Sequence, residues 1–172
     1  SRKMSAFIHN LAINLALMRQ LFLVIHMFYG DNLKILRTSE DISQEHLAKL
    51  IGVDKSLYSR YEKEIQLIPI KHLITLCNYF NVSLDYIFGF SSDQCYTEII
   101  ENPTTNHLKQ FRKEMKITQD KLAKFLNTTH SVISDYERGR YLIATPFLYQ
   151  ICAKYRVSAD YLLGRIENPK YF

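Results

Sequence analysis

The sequence predicts an all-α chain, on three observations. Apolar residues recur at three- and four-residue steps through most of it, residues that cap or stop helices stand at the ends of those runs, and one block is written twice. That block is Ile42 to Glu62, ISQEHLAKLIGVDKSLYSRYE, which returns as Ile117 to Glu137, ITQDKLAKFLNTTHSVISDYE, at a constant offset of 75 residues. The register extends without a gap from Leu33/Leu108 to Gly89/Gly164 and includes Arg37/Arg112, Gln44/Gln119, Glu62/Glu137, Cys77/Cys152 and Asp85/Asp160. A duplication of this kind makes 172 residues two small domains rather than one.

The elements follow in order. In residues 1–31, Leu11, Leu15, Met18, Phe22 and Ile25 continue an apolar seam from Ile8, and Leu17, Leu21, Val24 and Phe28 add a second row. A helix apolar nearly all round is buried against something. A second copy of the chain, the chain's own domains and lipid are the three covers. Lipid fits worst, because Asn10, Asn14, Arg19, Gln20 and His26 interrupt the run. The expectation is a homodimer through this helix, ending at Gly30–Asn32, with no membrane partner and no cleaved signal peptide.

Residues 32–89 form the first domain. Ser43 caps a helix over Gln44–Ile51 whose Leu47, Leu50 and Ile51 share a face, and small Ala48 allows close packing. Gly52 makes the turn, where positive φ is cheap, and Asn127 takes that place in the second copy. A second helix covers about 55–63, and about 130–138 in the repeat. Leu73, Leu76, Cys77 and Phe80 then mark a core helix, Ser83 caps a short last helix, and Gly89 stops it. Residues 90–106 read as a linker, with a short helix over 92–101 as one alternative. If flexible, its 17 residues average roughly 23 Å and reach about 56 Å at most. Residues 107–166 repeat the first domain, with Pro146 in the first turn of its core helix and Ser158 capping the last. Residues 167–172 are a short tail.

With those residues in place, the chain resembles the phage-repressor and Cro-like helix-turn-helix family. SQEHLAKLIGVDKSLYSRYE followed by LCNYFNVSLDYIFG, and TQDKLAKFLNTTHSVISDYERG followed by ICAKYRVSADYLLG, carry the likeness. It implies two tandem five-helix, lambda-repressor-like domains that bind double-stranded DNA, usually as a symmetric pair. Base contacts would then come from Lys55, Ser56 and Arg60 in the first copy and from Thr129, His130, Ser131 and Ser134 in the second. Arg60 suits guanine through its two-pronged guanidinium. Asp135 stands at the matching place and points to a different half-site. Phosphate contacts would fall to Gln44, Lys63, Gln119, Arg138 and Arg140. Arg37 with Glu62, and Arg112 with Glu137, are the structural ion pairs the family implies.

Charge separates the copies. Residues 32–89 carry seven basic and seven acidic residues and residues 107–164 ten basic against five acidic, a net of zero against +5. The second copy should therefore bind DNA more strongly irrespective of sequence. Three cysteines without close spacing suit a reducing, cytoplasmic setting and small core positions at Cys77 and Cys152, with Cys95 between the repeats. Six histidines without ligand spacing, and no phosphate loop or nucleophile elbow, argue for no metal, no cofactor and no enzyme. The expected function is a sequence-specific transcriptional regulator, a repressor by preference. The rival is an adaptor or antirepressor that keeps the fold and uses its surface on protein.

Overall fold

The computed structural model describes residues 29–94, 99–101, 103–169 and 172. Among these, ten helices run α1 (Tyr29–Ser39), α2 (Gln44–Ile51), α3 (Lys55–Glu62), α4 (Ile70–Phe80) and α5 (Leu84–Ile87), then α6 (Leu108–Glu114), α7 (Gln119–Phe125), α8 (His130–Glu137), α9 (Thr145–Tyr155) and α10 (Ala159–Leu162). The seam Leu11, Leu15, Met18, Phe22 and Ile25 lies outside the described residues, as does Cys95.

Local chemistry sets the helix ends. Ser43 accepts from the His46 N–H at 3.1 Å and Asp54 from the Leu57 N–H at 2.8 Å, so two of the orphan donors of α2 and α3 are satisfied. Gly52 has φ of +72° and Asn127 has +52°, which places both turn residues in the left-handed region. Burial then falls on the apolar stripe of each helix. Leu47, Ala48, Tyr58, Leu73 and Cys77 are enclosed in one copy and Leu122, Ala123, Ile133, Leu148 and Cys152 in the other. Burial raises both thiols well above their ordinary pKa and leaves them inert.

The structure changes two sequence-based expectations. Gly30–Asn32, expected to separate two helices, are themselves helical within the first turn of α1, and the chain before Tyr29 lies outside the described residues. Gly30 lies against the backbone of α3, where a Cβ would stand 2.4 Å from the Glu62 carbonyl oxygen, so glycine serves packing here rather than termination. The linker carries no helix in its described residues. Its backbone groups are spent on the domains instead: Gln94 O accepts from Ser83 N of the first, and Ile100 N donates to Arg165 O of the second. It is therefore strapped down at both ends, and the flexible-chain estimate of its span does not apply.

The two copies share one continuous core. Their last helices meet at the N-termini and exchange acids. Asp85 of α5 accepts from the Ala159 N–H at 2.7 Å and from the Ser158 hydroxyl at 2.5 Å, while Asp160 of α10 accepts from the Asp85 N–H at 3.2 Å. Each carboxylate thus sits at the positive end of the other copy's helix. Residues just beyond the helices also reach across, to points on α9 and α4 that lie one helical turn apart in the repeat register. Phe90 stacks on Tyr149 of α9 with centroids 4.9 Å apart, and its repeat partner Arg165 donates to Asn78 of α4 at 2.7 Å. Contacts in which i meets j′ and j meets i′ are those of a two-fold axis, so one chain contains a pseudo-symmetric pair.

Candidate nucleic-acid interface

Each copy sets the second helix of its motif, α3 or α8, on a buried charge network. Arg37 Nε donates to Glu62 Oε1 at 2.6 Å, its Nη1 donates to the Ile42 carbonyl at 3.0 Å, and Gln44 Nε2 donates to Glu62 Oε2 at 2.8 Å. The second copy repeats this with Arg112 paired to Glu137, Arg112 Nη1 on the Ile117 carbonyl at 2.8 Å, and Gln119 Nε2 on Glu137 Oε2 at 2.8 Å. The glutamates are almost wholly enclosed, with side-chain exposure of 3% and 2%, which lets the carboxylate hold the guanidinium firmly in its charged form. The network ties the start of α2 or α7 to the end of α3 or α8, and so fixes the angle between the two helices of each motif. Gln44 and Gln119 each spend one amide hydrogen inside it and keep the second for an outside acceptor.

Against this scaffold α3 turns Tyr58 and Tyr61 inward and leaves Lys55, Ser56 and Arg60 exposed. α8 buries Ile133 and exposes His130 and Ser131, with Ser134 half-buried. Thr129 is exposed too, but it is the N-cap of α8, and its hydroxyl oxygen accepts from Val132 N at 3.4 Å. Its hydroxyl hydrogen remains free to donate. Lys63, Arg138 and Arg140 are exposed just beyond α3 and α8.

Two pairings here were not foreseen from sequence. Arg60 Nη2 donates to Gln66 Oε1 at 3.1 Å, and Arg140 Nη1 donates to Asp135 Oδ1 at 2.8 Å. In each copy the loop after α3 or α8 thus holds the side chain at the repeat position occupied by Arg60 or Asp135. The spacing of five to six residues was the available signal, since a loop that doubles back brings those positions together. The acids Asp85 and Asp160, which join the two copies, were visible only as one more coincidence of the repeat. An acid at the same place in two otherwise apolar last helices was the clue.

Among the described residues, no group of three or more His, Cys, Asp and Glu side chains converges as a metal site, and no helix is long and apolar enough to cross a membrane.

The family model described as "Helix-turn-helix" matches residues 33–87 and again 108–162. The chain is 38% identical over 65 residues to the uncharacterized HTH-type transcriptional regulator YobD of Bacillus subtilis, covering 38% of this chain and 58% of YobD. It is 32% identical over 78 residues to the SPbeta prophage-derived regulator YonR of the same organism, covering 45% of this chain and 72% of YonR. It is 33% identical over 60 residues to the antitoxin PezA of Streptococcus pneumoniae, covering 35% of this chain and 38% of PezA. The chain therefore spans less than two thirds of the length of YobD and of PezA. No solved structure matches.

Proposed function

The chain belongs to the helix-turn-helix family, and from that premise we propose that it is a repressor which reads two half-sites of duplex DNA with α3 and α8, each in a major groove. The observation that carries this reading is that both copies keep the buried Arg–Glu–Gln network beneath a reading helix whose outer residues are exposed and polar. The pseudo-two-fold pairing adds that the half-sites run in opposite directions along the duplex. Because Arg60 and Asp135 differ, the two are unequal in sequence. Arg60 pairs with guanine O6 and N7, and Asp135 accepts from cytosine N4. Lys63, Arg138, Arg140, Gln44 and Gln119 hold the backbone. A second chain joined through residues 1–31 would raise the number of reading helices from two to four.

The likeness to an antitoxin favours a second reading, in which the same fold caps another protein. Fluorescence anisotropy of the purified chain with a random-duplex pool across a salt series, beside light scattering for its mass, separates the two. The regulator reading expects steep salt dependence and enrichment of an imperfect inverted site. Absence of binding at about 50 mM salt would reject it and favour the protein-binding reading.

A further inference from the structure

In the first copy the ring of Tyr29 is fully enclosed at the start of α1. Its hydroxyl accepts from the Ile68 N–H at 3.4 Å and donates to the Gln66 carbonyl at 3.4 Å, with Tyr61 and Glu64 close by. The repeat partners of those four neighbours are Ile143, Tyr141, Tyr136 and Gly139. All four line a cleft of about 560 Å³ in the second copy.

The cleft exists because the repeat departs from itself here. Thr104 holds the register place of Tyr29, and the chain before α6 is not helical, so no phenol ring is delivered to this spot. The Gly139 position also lacks the side chain that Glu64 supplies. Meanwhile the Ile143 N–H and the Tyr141 carbonyl, counterparts of the pair that hold Tyr29, have no hydrogen-bond partner among the described residues. The far wall is α4 of the first copy, through Lys71, Ile74 and Thr75. Of the charged groups on the lining, Arg140 is engaged by Asp135 and Glu137 by Arg112, which leaves Lys71 and Arg138 against Glu101.

We propose that this cleft binds a small hydroxyaromatic acid that takes the place Tyr29 fills in the first copy. The ring lies between Ile74 and Leu142, and the hydroxyl accepts from the Ile143 N–H while donating to the Tyr141 carbonyl. The carboxylate faces Lys71 and Arg138. The volume falls in the usual range for small-molecule sites, and a site that hydrogen-bonds a hydroxyl discriminates against analogues that lack it. Because its walls belong to both copies, an occupied cleft braces them together.

The test is a ¹⁵N NMR titration of the full chain with 4-hydroxyphenylacetate and, in parallel, phenylacetate. Saturable shifts centred on the Ile143 amide are expected, with phenylacetate about tenfold weaker because it leaves that amide unpaired. Lys71→Ala is expected to weaken the acid about threefold or more by removing its counter-charge. Thr75→Trp, which fills the cleft, is expected to abolish binding while signal dispersion is kept. No saturation below about 10 mM overturns the proposal, as does equal affinity for the two acids or undiminished binding to a folded Thr75→Trp chain. Should that variant lose dispersion, the Lys71→Ala and phenylacetate arms decide. None of these readouts requires DNA, so the result stands apart from the regulator reading.

Discussion

At one repeat position the first copy carries Arg60 and the second Asp135, and in each the following loop supplies the complementary partner: Gln66 in one case, Arg140 in the other. Beneath that position the Arg–Glu–Gln network is the same in both copies to within a few tenths of an ångström. Duplication has thus kept what fixes the fold and inverted what faces outward. The difference teaches where selection acts on such a pair, because a buried carboxylate that loses its guanidinium leaves an uncompensated charge, whereas an exposed side chain can change sign at little cost to folding.

The largest expected effect breaks the conserved part of the comparison. Glu62→Ala and Glu137→Ala should each cost about 3–5 kcal/mol in urea unfolding, since each strands a nearly enclosed arginine. Matching losses in the two copies would confirm their equivalence, and a loss below about 1 kcal/mol in either would show that its network is dispensable.

The next effect sharpens the contrast at the pairing axis. Asp85 accepts two hydrogen bonds across the interface, so Asp85→Asn should destabilise by about 1–3 kcal/mol, as one carboxylate oxygen becomes an amide facing a donor. Asp160 behaves oppositely. Burial first, then the neighbouring Asp85 carboxylate, push its pKa up from 3.8 to about 7, while Arg165 and the N–H groups of Leu84 and Asp85 pull it down. The thiols of Cys77 and Cys152 lie near enough to feel these charges but stay neutral. A carboxyl whose folded pKa exceeds its unfolded value binds more protons when folded, so its contribution to stability is full below pH 3.8 and is lost as pH rises through about 7. Asp160→Asn should flatten that slope between these limits in urea melts recorded against pH. An unaltered slope would mean that another group carries it.

Smaller effects concern the outer faces. Arg138→Ala with Arg140→Ala should lower the salt slope of DNA binding by about 1–2, and the equivalent Lys63→Ala by about 1. Equal slopes for wild type and the double variant would remove the second copy from the DNA surface. Exchange of Arg60 and Asp135 should swap the preferred half-sites in a selection experiment and leave the melting curve within about 0.5 kcal/mol. The smallest effect is at the turns. Gly52→Ala should cost about 1 kcal/mol by forcing a Cβ into positive φ, against a few tenths for Asn127→Gly.

Much of this was legible beforehand. The caps at Ser43, Ser83 and Ser158 and the left-handed turns at Gly52 and Asn127 follow from residue chemistry within a few positions, and the repeat doubled every such signal. What escaped was non-local. That Asp85 would cap α10, that Arg165 would be wholly buried, and that the linker would be strapped to both domains all depend on how two finished units meet. No periodicity within either unit encodes that. The path of the chain before α6, which opens the cleft, was hidden for the same reason: Thr104 differs from Tyr29, but a single substitution does not announce a change of backbone course.

The exchange of Asp85 and Asp160 across the axis has a kinetic side. Partners joined by one backbone meet at an effective concentration set by the chain rather than by the cell, so their pairing does not weaken on dilution. Two separate subunits would assemble in proportion to the square of their abundance, and a regulator of that type stays silent until enough of it accumulates. A pair held within one chain needs no such accumulation to form.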